Sequence, residues 1–150
     1  MEITTASVKE LREMTGVSVM QCRKALEEAG GDMEKAVEVL KKSSGASALK
    51  KADRELKAGV LGSYTHDGNI GAMVILSCES DFVAKNPEFS ALAREIAMQV
   101  AAMDPENTEA LLEQPFIKDS GKTVHNMLDE ATQKFGERTE VSSFTRLSVR

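Results

Sequence analysis

Apolar residues recur every three or four positions over the first 40 residues, every second position from Gly59 to Cys78, and at helical spacing again after Asn86. The chain therefore reads as a helical N-terminal part followed by a mixed α and β part. In the first part, Ser7 stands three residues before Glu10 as a capping box, and Val8, Leu11 and Met14 form a stripe that stops at Thr15-Gly16. Ser18 and Gln21 repeat the box ahead of Cys22, Ala25, Leu26 and Ala29, and Gly30-Gly31 ends the second helix. Asp32 caps a third helix whose Met33, Ala36, Val37 and Leu40 face inward. Val19 and Met20 lie off the core line, in the first turn of the second helix. Either one alone is equally well read as the staple of the bundle; together they suggest an exposed apolar contact.

Lys41-Lys42-Ser43-Ser44-Gly45 interrupts the stripe, and Ala46 to Lys57 reads as a basic linker helix with solvated charges. From Gly59 the alternation predicts a β-hairpin turning at Asp67-Gly68-Asn69. Its second strand, Ile70 to Cys78, is apolar on both faces over its middle, which predicts a central strand covered by helices. Asn86-Pro87 starts a long helix carrying Phe89, Leu92, Ala93, Ile96, Ala97, Val100 and Ala101, and Asp104-Pro105 ends it. Asn107 to Leu112 reads as a short helix and Gln114 to Asp119 as a short extended piece. Thr123 to Gly136 is another amphipathic helix, and Thr139 to Val149 the last strand. The expected fold class is α+β: a three-helix bundle over 1–43, a linker helix over 44–57, and a core over 58–150 with a three-stranded, mainly antiparallel sheet covered by helices.

Composition narrows the function. At 41% hydrophobic and 29% charged residues the chain has a globular balance, and no apolar run approaches the ~20 residues of a membrane span. The N-terminus lacks the basic and apolar regions of a signal peptide, so a cytoplasmic protein without a membrane partner is expected. The net charge of -5 is uneven: residues 1–55 hold ten Lys/Arg and ten Asp/Glu, residues 56–150 nine and fourteen. An acidic second part argues against direct nucleic-acid binding, which depends on neutralising phosphates, and favours a protein partner.

Catalytic constellations are weak. His66 at the hairpin and His125 on a helix have no Cys or His at metal-ligand spacing, and the glycines make no phosphate loop. Cys22 and Cys78 fall in apolar segments as inert core thiols, and a strand thiol in such company is a poor nucleophile because burial disfavours the thiolate. The expectation is a protein that acts by binding, without catalytic residues, metal or cofactor.

One stretch stands out, Glu79-Ser80-Asp81-Phe82-Val83-Ala84-Lys85-Asn86, a strand-to-helix corner holding a carboxylate, an aromatic ring and an aliphatic residue where a loop is usually small and polar. On composition alone Phe82 reads as a core residue and Asp81 as a turn cap, since lone aromatics are usually buried. A resemblance reverses that balance. Val8 to Leu26 followed by Gly31-Asp-Met-Glu-Lys-Ala36, the stretch Ser80 to Asn86, and Gly62-Ser-Tyr-Thr-His66 with Gly71 are similar to three motifs of the translation elongation factor Ts family. Ser80 replaces the family's usual Thr. Members usually carry more chain before the segment Glu113 to Asp119, which only Asp104 to Leu112 leads into here. The chain thus resembles a short form with a single core unit, lacking a helical insertion and a further C-terminal module.

The resemblance implies that the N-terminal module is a ubiquitin-associated-like bundle, and that the chain is a guanine-nucleotide exchange factor for elongation factor Tu in protein biosynthesis. It further implies that Asp81 and Phe82 intrude on that partner and disturb its Mg²⁺ site, with Ser80 and Val83 shaping the corner. Val19 and Met20, with Arg12 and Arg23, would anchor the helical module, and His66 would make a separate contact. A single core unit also suggests a homodimer. The competing expectation is a ubiquitin-associated-type adaptor, or a subunit that merely holds elongation factor Tu.

Overall fold

A computed structural model describes residues 2–150; Met1, the first residue of the expected helical module, lies outside them. Helix α1 spans Thr5–Thr15, α2 Val19–Glu28 and α3 Met33–Lys51. A capping box does start α1, but it is made by Thr4 and Ser7, not by Ser7 and Glu10. Ser7 at the third helical position returns a hydroxyl bond to Thr4, so the helix begins earlier than the spacing suggested. Ser18 and Asp32 cap α2 and α3 as expected, by accepting from the amides of Gln21 and Lys35. The three helices enclose a small core of Val8, Leu11, Val17, Cys22, Ala25, Leu26, Ala36 and Leu40.

The break expected at residues 41–45 does not occur. Helix α3 runs unbroken through Ser43, Ser44 and Gly45 and ends at Lys51, so no separate linker helix forms. The missing local preference is replaced by contacts with a distant helix, α7 (Val124–Phe135). Ser44, buried on α3, donates to the Leu40 carbonyl and meets the Gln133 carboxamide, while Ser43 accepts from Gln133 and Lys41 donates to the Gly121 carbonyl. Polar side chains thus join the N-terminal helices to the rest of the molecule, beside two separate apolar cores.

The second core is built on the antiparallel sheet β1-β2-β5, with β1 at Ala58–His66, β2 at Ile70–Cys78 and β5 at Glu140–Ser148. The hairpin pairs Ala58 with Cys78 and His66 with Ile70, and Asp67 and Gly68 turn it with positive φ of 51° and 67°. Strand β2 is central, as its apolar run predicted, yet only one face is covered. Ala72, Val74, Leu76 and Cys78 are buried beneath α5 (Pro87–Met103), whereas Met73 and Ile75 are exposed on the other face. A doubly apolar strand cannot by itself say which face its own chain covers.

Helix α5 is capped by Asn86 with Pro87 in its first turn, and Asp104 ends it at φ 47°. It approaches β1 so closely that Gly62 faces the backbone of Ala93. Beyond it lie α6 (Thr108–Glu113) and a two-stranded ribbon of β3 (Pro115–Phe116) and β4 (Asp119–Thr123), held by buried Gln99 through Pro115 and Ile117. Among the described residues no helix is long and apolar enough to cross a membrane.

Candidate functional site

The strand-to-helix corner after β2 is itself one helical turn, α4 (Asp81–Ala84). Ser80 is its N-cap and accepts from the Val83 amide at 3.4 Å. With 3.6 residues per turn, side chains two positions apart on this helix point in nearly opposite directions: Val83 and Ala84 are buried in the main core, and Asp81 and Phe82 point to solvent. Phe82 is 86% exposed, the largest exposure of any big apolar side chain among the described residues. The composition-based reading of Phe82 as a core residue is therefore incorrect. Val83, grouped with it as a contact residue, is only 5% exposed and serves as a peg beneath it.

The corner is held from outside its own element. Helix α7 ends at Gly136 with φ 74°, and the reversed chain brings the next residue, Glu137, against β2. One Glu137 oxygen accepts from the amides of Glu79 and Ser80 at 3.1 and 2.9 Å, and the other from the Ser80 hydroxyl at 2.6 Å. Glu79 in turn accepts from the Arg138 amide at 2.6 Å and pairs with Arg54 at 3.5 Å. The Arg138 guanidinium donates to the Arg54 carbonyl and pairs with Glu140 at 2.8 Å. The bonds of Glu137 to Glu79 and Ser80, and of Arg138 to Glu79 and Arg54, join residues 57 to 84 positions apart, so no local pattern could have revealed them. Cys78, fully buried, donates to the Ser80 carbonyl at 3.3 Å. Burial, with smaller contributions from the Glu137 and Asp81 charges, raises its pKa and makes it a structural thiol.

The other expected contact residues divide into two places. Arg12 is on the last turn of α1, and Val19, Met20 and Arg23 on α2; all four are exposed, with Arg23 paired to Glu27 at 3.2 Å. Val17 is the buried apolar residue at that turn, so neither Val19 nor Met20 staples the bundle. The α1–α2 turn abuts the end of α7, with the Lys134 side chain beside Gly16. Lys134 also pairs at 2.9 Å with Glu88, one turn beyond the corner. The module's exposed apolar pair and the Phe82 corner therefore flank the same end of the core.

His66 is at the opposite end. Its pairing partner Ile70 and Cys78 are the two ends of the nine-residue strand β2, a span of about 26 Å at ~3.3 Å for each step along it. There His66 contacts the Tyr64 hydroxyl at 3.1 Å and Asp67 at 3.4 Å. Among the described residues no group of three His, Cys, Asp or Glu is placed to hold a metal ion.

Comparison with known proteins identifies relatives of the whole chain. A protein-family profile described as Elongation factor TS matches residues 4–109. Elongation factor Ts of Desulforamulus reducens is 41% identical over an alignment of 194 positions that covers 99% of this chain and 89% of that protein. Its counterpart in Thermodesulfovibrio yellowstonii is 38% identical, with 99% and 97% covered, and that of Trichlorobacter lovleyi is 43% identical, with 99% and 48% covered. An alignment of 194 positions against 150 residues means that the Desulforamulus relative carries additional chain within the matched span.

Proposed function

The chain belongs to the elongation factor Ts family, a family of translation elongation factors, and from that premise we propose that it binds elongation factor Tu and promotes release of GDP by disturbing the Mg²⁺ and nucleotide site. The observation that carries the reading is the exposed Phe82 beside Asp81, on a turn pinned below by Val83 and behind by Glu137. Leaving a phenyl ring in water disfavours the free protein, and an apolar crevice on a partner recovers that free energy. Asp81 brings a carboxylate to the same place, where it competes for the groups that support the cation. Once Mg²⁺ is loosened, the phosphates lose their main neutralising charge and GDP leaves faster.

The thermodynamics require no bond chemistry. If the chain binds the nucleotide-free partner more tightly than the GDP complex, linkage makes each ligand weaken the other by the same factor, ~1.4 kcal/mol for each tenfold. Val19 and Met20, with Arg12 and Arg23, supply anchoring contacts that are the same in both states. His66, at the far end of the sheet, makes a second, independent contact. Release of a fluorescent GDP from purified elongation factor Tu tests the proposal. Acceleration that saturates with added chain supports it; binding without acceleration favours the holding subunit, and no binding favours the adaptor.

A homodimer through the open sheet face accompanies this reading. Leu61, Met73, Ile75 and Leu147 are exposed on that face among Ser63, Thr65, Ser143 and Thr145, and the charge of Glu140, opposite Ser77 at one end of it, is paired with Arg138 at 2.8 Å. A second copy can meet such a face without like-charge repulsion and bury both apolar rows in a sheet-on-sheet contact. A light-scattering mass of one chain at micromolar concentration contradicts it.

A further inference from the structure

We infer that Glu137 is a positioning residue for nucleotide exchange, which sets the orientation of Phe82 without touching the partner; the inference rests on the proposed role of the corner. The Glu79 and Ser80 amides point out of the end of β2, and Glu137 accepts from both with one oxygen. Its second oxygen accepts a hydrogen bond from the Ser80 hydroxyl, leaving a Ser80 lone pair for the Val83 amide. That relay couples the carboxylate to the axis of the turn on which Phe82 stands. A serine cap alone would leave the turn free to pivot about the buried Val83 and Ala84. Three charge-assisted bonds from one rigid group remove that freedom before the partner arrives, so less conformational entropy is lost on binding.

The same node reaches the N-terminal helices. Arg54, just beyond α3, pairs with Glu79 and accepts from Arg138, the residue after Glu137. Segments leaving α3 and α7 thus converge on the two residues that enter the corner. The Glu137 clamp therefore orients Phe82 relative to both the sheet and the helical module.

The test compares Glu137→Ala, Glu137→Gln, Phe82→Ala and the double variant Phe82→Ala/Glu137→Ala with the parent, all well below their melting temperatures. The readouts are the maximal rate and half-saturating concentration for GDP release, together with amide hydrogen exchange. Glu137→Ala is expected to lower the maximal rate by about tenfold, within the usual range of coupling between sites, and to change half-saturation by less than about threefold. Glu137→Gln keeps the oxygen that serves both amides and is expected to fall between parent and Ala. The Glu79 and Ser80 amides should exchange faster in Glu137→Ala while the β2 interior stays protected. If Glu137 acts through Phe82, the double variant matches Phe82→Ala alone; additive losses overturn the inference. A slow Phe82→Ala with a parental Glu137→Ala also overturns it and leaves the exchange reading standing. A parental rate for Phe82→Ala refutes the exchange reading itself, and the positioning role with it.

Discussion

Replacing Gly62 with alanine would place a Cβ within 2.8 Å of the Ala93 Cβ, and nearer still to the Ala93 carbonyl carbon and oxygen. Carbon atoms in contact sit ~3.5–4.0 Å apart, so relief requires α5 to withdraw from β1 by about 1 Å. That helix carries Phe89, Ala93, Ile96, Ala97 and Val100, all fully buried in the main core. A gap of 0.5–1 Å forfeits roughly a quarter to a half of each dispersion contact, and overpacking alone costs about 1–3 kcal/mol. A loss of ~3 kcal/mol is expected, which for a chain of this size lowers the melting temperature by about 6–12 °C. Thermal melts followed by circular dichroism, with urea midpoints, measure it. Because backbone atoms of Ala93 are the nearest obstacles, a second change, Ala93→Gly, is expected not to restore stability. A melt within about 2 °C of the parent, or rescue by Ala93→Gly, would refute the close-approach argument.

Three further outcomes follow from the same geometry. At Gly45, inside α3, the nearest atom to an added Cβ is an Asp129 oxygen at 3.8 Å, so Gly45→Ala is expected to stabilise by up to ~1 kcal/mol through helix propensity, read as a higher urea midpoint. Burial, outweighing the His125 contact at 3.3 Å, raises the Asp129 carboxyl above its ordinary 3.8; stability from the neutral form is therefore present below 3.8 and lost as pH rises through the raised value. Asp129→Asn should accordingly gain on the parent as pH rises from below 3.8, and a difference in midpoint that does not change with pH contradicts this. Burial raises the pKa of both Cys22 and Cys78, so a thiol reagent at neutral pH should label them at the rate of unfolding, and rapid stoichiometric labelling of the folded chain would contradict it.

Element ends were legible wherever the signal was local. Asn86-Pro87 before α5 and Asp67-Gly68 between β1 and β2 stand in the structure as their chemistry dictates. Misreadings arose where a distant partner decided the outcome. Gly45 and its neighbouring serines look like a break, and only α7, some 90 residues on, makes them helix. The apolar middle of β2 shows that both faces avoid water but not that α5 covers just one. At the corner, burial statistics placed Phe82 inside and the family signature placed it outside; the exposed ring agrees with the signature. The Glu137 clamp had no sequence signal at all, since an isolated glutamate after a helix-ending glycine is ordinary on any surface.

The most direct measurement of the central claim is Phe82→Ala, read for stability and exchange together. With 86% of the residue already in water, only about 30 Å² of a ~200 Å² side chain returns to solvent, worth ~0.7 kcal/mol. The account predicts a melting temperature within about 3 °C of the parent and at least about a tenfold loss in stimulated GDP release from elongation factor Tu. Parental exchange per folded molecule, or a large loss of stability, would contradict it.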